Sequence, residues 1–457
     1  MNKSIKTLAT ALFLLSVQAY ADDDFDGNPL ATIQQLTAEK NAILIVASPV
    51  VVAAKQTLYN NWLALAQTVG PVSQEQLNYF QEAVNEQAFA TALGVQAADP
   101  NYPQVISLLA APHDWYGINV PGSRDVFDNP DTTYRRIPID PNASYVITGK
   151  RHREVPIDEN YSLWDARSNT ISNLTGDELV TEADGSFTIT LDQNPATGNG
   201  NHIQLTANAA SLFVRNTVND WGKQTFTSLS VSRVAGPPIS APKGLNDWVN
   251  ATAAGVTNAA NPYPNSALAI FQTRANAQPV NTIPPITHGG TNGTLSSQAQ
   301  EYSAWSLEDD EALVVTVNPG GAKYLTAPVY DQWQITTDYI NHTQSLNNAQ
   351  AKPNADGAYT FVIAINDPGV YNWIDTDGLH EGYLNLRWQG LPSEPPATGD
   401  VGATVTGPVK LSDLPSVLPT DTVYVTKHER NKQLEIRKEE YARRYATIPD
   451  QDHGFGY

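Results

Sequence analysis

The densest run of polar side chains ahead of the C-terminal tail is DNPDTTYR, at positions 128–135. If this run forms a loop at one end of a β-sandwich, Asp131 could act as a general base and Arg135 could clamp a carboxylate. The candidate catalytic or binding side chains of this run are Asp128, Asn129, Asp131, Tyr134 and Arg135. The alternative is a structural turn, in which Asp and Asn side chains cap backbone N–H groups before a strand. The sequence leaves both interpretations open.

A histidine and an aromatic residue lie a short distance ahead of this run. His113 and Trp115 flank a single acid, and a histidine beside an acid could act as a general acid or base over a stacked ring. Arg151, His152 and Trp164 could line the same site. The alternative for the histidine is a surface position in a turn.

A second acidic segment, DTDGLHE at 375–381, offers several oxygen ligands of the kind that calcium prefers. Asp375, Asp377 and Glu381 are the candidate ligands, although the spacing lacks the third acid and the distant Glu of an EF-hand loop. The alternative is a hairpin turn in which Asp377 and Gly378 supply the bend. The sequence identifies no cofactor.

The composition excludes several functions. The chain has no cysteine, so thiol nucleophiles, thiolate metal sites and disulfides are all excluded. A net charge of −20 argues against nucleic acid and anionic membrane surfaces as partners. The motifs G-x-S-x-G and H-E-x-x-H, the P-loop and the dinucleotide-binding glycine motif are missing. Whether the protein is an enzyme stays open, and so does its oligomeric state.

The N-terminus predicts export. Lys3 and Lys6 precede an apolar stretch, and Ala19-Tyr20-Ala21 forms an A-x-A cleavage site. We therefore expect a signal peptide that is cleaved after Ala21, and a periplasmic or secreted protein. No later apolar run is long enough to span a bilayer, so no transmembrane segment is expected after cleavage.

The elements that must position these residues are set by an internal repeat. The segment that starts at Ala183 and ends at Arg215 recurs 172 positions later, with Asp-Gly turns and alternating apolar residues in both copies. Phe187, Ile189 and Leu191 alternate with polar residues, which is typical of a half-buried antiparallel strand. Many short strands separated by turn signals predict two tandem copies of a β-sandwich or barrel.

The chain is predicted to be mainly β with helical additions, namely an N-terminal helical cap and a C-terminal helix. The predicted parts are a signal peptide at 1–21, a helical region at 26–110, a first sandwich at 112–235, a connection rich in Pro, Asn and Ala at 236–287, a second sandwich at 288–392, and a C-terminal extension at 393–457.

Three further helices are predicted outside the cap. Two lie in the connection, from Leu245 to Ala259 and from Ser266 to Ala275. The third is a charged helix from Lys427 to Ala446, which we expect to dock through an apolar stripe. The stripe would consist of Leu434, Tyr441 and Tyr445.

The repeat also distinguishes residues that occur in both copies from residues that occur in only one. Arg215 and Arg387 occupy equivalent places, which favours a structural role, and Asp165 is the expected partner of Arg215. The polar run at 128–135 maps at the same offset to Gln300–Leu307, where no such motif occurs. A single-copy polar element on a duplicated scaffold is what specialisation of one copy would leave, and sequence drift would leave the same pattern.

Four segments together resemble a known group of exported bacterial proteins. They are DNPDTTYRRIPIDPNASYVITG at 128–149, ENYSLWD at 159–165, ADGSFTITLD at 183–192 and NWIDTDGLHEGYLNLRWQGLP at 372–392. The resemblance is to the domain-of-unknown-function families 1214 and 1254. It implies tandem antiparallel β-sandwiches of jelly-roll type with helical additions, and it implies little about activity.

Two functions remain open at this stage. The first is binding of, or action on, a small polar molecule or glycan through the polar run, and nine Trp and 20 Tyr offer stacking surfaces. The alternative is a non-catalytic envelope protein used through protein contacts. Under the first hypothesis, Asp131→Ala abolishes activity while lowering stability by less than about 2 kcal/mol.

Overall fold

Two β-sandwiches, a cluster of helices and a C-terminal helix make up the computed structural model, which describes residues 27–69, 71–152, 154–195, 200–259, 279–289, 294–392 and 401–446. The predicted class, mainly β with helical additions, is confirmed. The predicted signal peptide and the helix expected from Ser266 to Ala275 lie outside the described residues.

The helical cap consists of four helices that share one apolar core. They are α1 (Ile33–Val46), α2 (Pro49–Val69), α3 (Gln74–Gln96) and α4 (Leu245–Ala259). A capping box begins α3, with Ser73 Oγ accepting from the Gln76 N–H at 3.1 Å. Within the described residues no single helix is long and apolar enough to cross a membrane, although α1 and α2, bent by 74°, pass that test together.

The cap is not an independent unit. Its core of Ala42, Phe80 and Val256 is continuous with Trp221 of the first sandwich and Trp333 of the second. The sequence favoured a cap that covers a sandwich, and this shared core fits that interpretation.

The first sandwich has a five-stranded sheet in the order β1-β4-β10-β6-β7 and a four-stranded sheet in the order β11-β5-β8-β9. Its strands are β1 (Ile106–Leu108), β4 (Thr132–Pro138), β5 (Ser144–Lys150), β6 (Asp158–Asp165), β7 (Thr170–Thr175), β8 (Ser186–Asp192), β9 (His202–Gln204), β10 (Ala209–Thr217) and β11 (Ser228–Ala235). A separate hairpin of β2 (His113–Trp115) and β3 (Ile118–Val120) precedes β4.

The second sandwich has one sheet in the order β12-β13-β19-β15, with β16 also paired to β19, and another in the order β18-β17-β14-β20. Its strands are β12 (Thr287–His288), β13 (Ala299–Ser306), β14 (Glu311–Pro319), β15 (Tyr324–Thr326), β16 (Val329–Tyr330), β17 (Tyr359–Ala364), β18 (Trp373–Asp375), β19 (Glu381–Gln389) and β20 (Val401–Lys410).

The two sandwiches repeat one topology. The bounds of β10 and β19 differ by 172 residues at both ends. Moreover, β8 and β17 each pair in parallel with the strand that follows in their sheet, β9 and β18. Since all other pairings of named strands are antiparallel, this shared exception supports duplication of one unit.

The structure corrects the alignment of the polar run. Tyr134 lies opposite Arg215, whereas Gln300 lies opposite Arg387, so the offset here is 166 residues rather than 172. The counterpart of the polar run is therefore TLSSQAQE at 294–301. This segment also lacks the motif, so the run remains a single-copy element.

The C-terminal region packs back across the molecule. It contains the short helix α5 (Leu414–Val417), the charged helix α6 (Lys427–Ala442) and a final helical turn, Arg443–Tyr445. The expected apolar docking stripe is wrong in part, because α6 buries Arg430 and Arg437 beside Tyr441. The two guanidinium groups lie over the rings of Trp373 and Trp221, respectively.

Candidate functional site

The polar run begins with a buried turn, Asp128 to Asp131, that joins the two sandwiches through hydrogen bonds; we call this turn the clasp. Asp131 is 0% exposed. One of its oxygens accepts hydrogen bonds from Trp221 Nε1 at 2.7 Å and Asn347 Nδ2 at 2.9 Å, and the other accepts from the Tyr324 hydroxyl at 2.7 Å. Burial raises the pKa of Asp131. These contacts favour the structural interpretation of this aspartate.

Asp128 and Asn129 are held in the same way. The carboxylate of Asp128 accepts from the backbone N–H and the hydroxyl of Thr336, at 2.9 and 2.6 Å. Asn129 Oδ1 accepts from the Asp131 N–H and the Tyr324 hydroxyl, both at 3.0 Å. The turn is therefore fixed by side-chain contacts that span 90 to 216 residues of sequence.

Arg135 and Arg151 lie inside one end of the first sandwich. Arg135 is 2% exposed and donates to the Thr227 carbonyl at 2.5 Å and to Asn216 Oδ1. Arg151 Nε donates at 2.6 Å to Glu159, which also accepts from the Thr227 hydroxyl at 2.5 Å. This network closes the end of the sandwich and satisfies polar groups that would otherwise be costly to bury.

His152 follows β5 and lies beside the start of β11, at the edge of the other sheet of that sandwich. One of its ring nitrogens is 2.9 Å from the hydroxyl of Ser228, and the side chain is half-buried. It therefore does not join the residues of the turn.

His113 and Trp115 belong to the core of the helical cap. Trp115 Nε1 donates to Glu39 at 2.8 Å, and His113 Nε2 lies 3.9 Å from the other oxygen of that carboxyl group. The imidazole stacks on Tyr445 with ring centroids 4.0 Å apart. A cavity of about 30 Å³ beside them has room for about one water molecule.

Burial favours the neutral form of both groups. It lowers the pKa of His113 to about 4 and raises the pKa of Glu39 to about 7. Thr132 and Thr133 line the same cavity, so His113 lies close to the start of β4.

The second acidic segment forms the predicted turn. Asp377 and Gly378 have φ angles of 56° and 78°, which suits a tight hairpin-like bend. Asp375 is 2.8 Å from His342 Nδ1, and Glu381 accepts from Gln76 at 3.1 Å. Across the described ranges, no group of three or more His, Cys, Asp or Glu could hold a metal ion.

Two of the predicted residues do lie on one surface. In β6, Tyr161 and Leu163 point into the core of the first sandwich, so Trp164 points outward. By the same alternation Tyr134 of β4 and Arg215 of β10 share that outer face. We call this surface of the five-stranded sheet the outer face.

The outer face is turned toward the second sandwich. Thr217 Oγ1 donates to Gln389 Oε1 at 3.1 Å, and these two residues occupy equivalent positions in the repeat. Burial, together with the nearby Arg387, lowers the pKa of Arg215 to about 10. The two sandwiches therefore meet through the outward side chains of their equivalent central strands.

An aromatic platform occupies the outer face. The rings of Trp164 and Phe213 stack with centroids 4.1 Å apart, and the Arg215 guanidinium lies 5.2 and 4.7 Å from the two centroids. The expected pairing of Arg215 with Asp165 is wrong, because the carboxylate of Asp165 is hydrogen-bonded within the turn after β6. It accepts there from the backbone of Arg167 and Asn169.

Polar atoms without a partner surround this platform. Trp164 is 7% exposed and Ser211 is 1% exposed, and they lie opposite each other on β6 and β10. In the described part of the chain, Trp164 Nε1, Ser211 Oγ and Thr170 Oγ1 are buried without a hydrogen-bond partner. Thr170 lies opposite Trp164 on the next strand, so the three groups form a row across three strands.

Arg136 adds a charge to the outer face. It lies opposite Phe213, and burial lowers the pKa of its guanidinium. Unlike Trp164, this arginine was missed from the sequence, because its exposure and the absence of a neighbouring acid depend on the packing. The face can donate hydrogen bonds to an acceptor and can contact an apolar body through its rings.

The protein thus consists of two repeated sandwiches, and the outer face of the first one is rich in hydrogen-bond donors. The structure is similar to the crystal structure of an uncharacterized protein from Burkholderia cenocepacia, with a TM-score of 0.64 and 21% identity over 82% of this chain and 100% of that chain. A structure from Vibrio parahaemolyticus aligns with a TM-score of 0.40 and 11% identity, over 71% and 98% of the two chains. The first likeness shows the fold alone. No protein-family model and no curated protein matches the sequence.

Proposed function

We propose that the protein binds a small polar molecule on the outer face of its first sandwich. The observation that supports this is the row of buried polar atoms without partners on β7, β6 and β10, next to stacked aromatic rings. A buried donor without an acceptor costs about 1–3 kcal/mol, which a bound ligand that supplies the acceptor would recover. The proposal concerns binding and assigns no reaction.

The ligand would contact the outer face rather than the polar turn. Asp128 and Asp131 have their oxygens occupied by protein donors, whereas Tyr134 and Arg136 lie farther along the same strand on the outer face. The turn then positions β4, and the strand carries the contacts. Export to the periplasm and membership of families 1214 and 1254 remain part of this proposal.

Thermal unfolding with a ligand panel tests the function. Sugars, organic acids, alcohols and amides are added separately, and a ligand present at 100 times its Kd should stabilise the protein by about 2.7 kcal/mol. We expect at least one class to raise Tm, and we expect Trp164→Phe to remove that rise.

Trp248→Phe on α4 is the matched control, because it removes an indole N–H that packs against the core of the helical cap. If no compound raises Tm, or if both variants respond alike, the outer face is not the site. Protein contacts at the cell envelope would then be the better hypothesis.

A further inference from the structure

The charged side chains of the outer face are unevenly distributed along its strands, with the acid at one end. Asp158, at the start of β6, lies opposite Thr217, and Asn160 Nδ2 donates to it at 2.8 Å. This carboxylate attracts Arg215, two residues along β10. Arg136 lies opposite Phe213, four residues from Thr217 and so about 13 Å away along the strand.

Arg136 therefore stands apart from the acid on its own face. Its guanidinium is partly buried and makes no hydrogen bond or ion pair in the portion of the chain that the structure describes. Burying a guanidinium without a counter-charge is costly, and proteins generally pair such groups. Trp164 Nε1 and the hydroxyls of Ser211 and Thr170 lie on the same end of the face.

We propose that this end of the outer face binds a small organic carboxylate, with Arg136 as its counter-charge and Trp164 Nε1 as a second donor. This inference rests on the proposed function and names its ligand class. Arginine and an indole N–H can both donate to carboxylate oxygens, and the hydroxyl groups can donate to a further oxygen. The rings of Phe213 and Trp164 would contact the apolar part of the ligand.

The charge of the site favours one carboxylate over a phosphate or a polyanion. One guanidinium without a counter-charge compensates one negative charge. The protein as a whole carries −20, so it repels multiply charged anions more strongly than singly charged ones.

The test compares matched charged and neutral compounds on the purified full chain. Acetate, benzoate and cyclohexanecarboxylate are titrated beside acetamide, benzamide and cyclohexanecarboxamide, with sodium chloride at equal ionic strength. At least one carboxylate should raise Tm and show saturable calorimetric binding, while its amide should not. Arg136→Gln should weaken that binding by about tenfold to 100-fold, the usual effect of losing a charge-assisted hydrogen bond.

Arg167→Gln, in the exposed turn after β6, is the control that removes an arginine without touching the face. Arg136→Lys should retain part of the affinity because it keeps the charge. A second readout needs no ligand: Arg136→Gln should leave Tm unchanged or raise it, since it removes a partly buried charge that has no counter-charge.

The outcomes separate the ligand class from the function. If carboxylate and amide bind equally, and Trp164→Phe abolishes both, the face is a binding site but the carboxylate inference is wrong. If no carboxylate binds, or if Arg136→Gln and Arg167→Gln bind alike, the inference is also overturned. A large fall in Tm for Arg136→Gln would show that this arginine is a structural residue.

Discussion

Asp131 illustrates how burial changes the meaning of a polar residue. Its carboxyl group accepts from Trp221, Tyr324 and Asn347, which come from both sandwiches. A side chain with this environment determines how the sandwiches are joined. The density of polar residues was visible in the sequence, but their burial was not.

Replacement of Asp131 by alanine should destabilise the protein by about 3 kcal/mol or more, because each of several buried donors left unpaired costs about 1–3 kcal/mol. This exceeds the loss of less than about 2 kcal/mol that the sequence suggested. Urea unfolding of Asp131→Ala measures the difference. Glu435→Ala, on the exposed side of α6, should stay within about 0.5 kcal/mol and serves as the control. A similarly small loss for Asp131→Ala would contradict the assignment of a clasp.

His342 should make stability depend on pH. Its hydrogen bond to Asp375, with the nearby Asp377, raises the pKa of the imidazole to about 9. A raised histidine pKa stabilises the folded state fully below the unfolded pKa of about 6.5, and this stabilisation is lost as pH rises through about 9.

The variant His342→Gln should therefore be less stable than the native protein at pH 6 and nearly equal to it at pH 10. Chemical unfolding at both values gives the comparison, with His428→Gln on the exposed surface of α6 as the control. A difference that stays the same at both pH values would show that the ion pair does not contribute.

At the residue scale, the sequence identified Trp164 and Tyr134 as candidates, and the structure places both on the outer face. It could not identify Arg136, because an arginine in a strand is recognised as uncompensated only when its neighbours are known. The partner of Arg215 was also misjudged. Its cation–π contacts come from Phe213 and Trp164, on its own and the adjacent strand, whereas Asp165 belongs to the turn after β6.

At the scale of elements, the last helical turn ties three parts of the molecule together. Asn28 Nδ2 donates to the carbonyls of Arg444 and Ala446, at 3.1 and 2.9 Å. Arg444 donates to the Pro130 carbonyl at 2.8 Å, and Tyr445 stacks on His113. The final turn therefore covers the buried pair of His113 and Glu39.

Removal of the Tyr445 ring should raise the pKa of His113 from about 4 toward its ordinary value of 6.5, because solvent would reach the imidazole. NMR titration of the histidine ring protons in Tyr445→Ala measures this shift. Tyr445→Phe keeps the stacked ring and should leave the low pKa in place. If both variants titrate like the native protein, Tyr445 does not shield the histidine.

The sequence was most informative where periodicity was strong. The alternation in β8, the repeat that equates β10 with β19, and helix α4 all agree with the structure. The shift in offset at β4 and β13 was not foreseen, because an insertion between repeats is invisible in the sequence where the two copies share no motif. Helix α6 docks through arginine side chains, which an apolar stripe cannot predict.

At the scale of the whole molecule, the sandwiches and the cap should unfold together. One apolar core contains Phe80 of the cap, Trp221 of the first sandwich, Trp333 of the second and Tyr441 of α6. The clasp at Asp131 adds hydrogen bonds across the same junction. No part can lose its packing without exposing the others.

We therefore predict a single calorimetric transition, with equal calorimetric and van't Hoff enthalpies. Asp131→Ala should lower the cooperativity and bring the van't Hoff value below the calorimetric one. Two resolved transitions in the native protein would show that the sandwiches are independent, and the clasp would then have little energetic importance.

The most direct test of the binding site follows the indole N–H signal of Trp164. The nine tryptophans each give one signal in a ¹⁵N–¹H NMR spectrum, and Trp164→Phe identifies the relevant one. On titration with the carboxylate that stabilises the protein best, we predict that this signal moves progressively downfield as the N–H gains an acceptor, while most of the others stay in place. A Trp164 signal that does not move while the carboxylate binds would contradict the assignment of the outer face as the binding site.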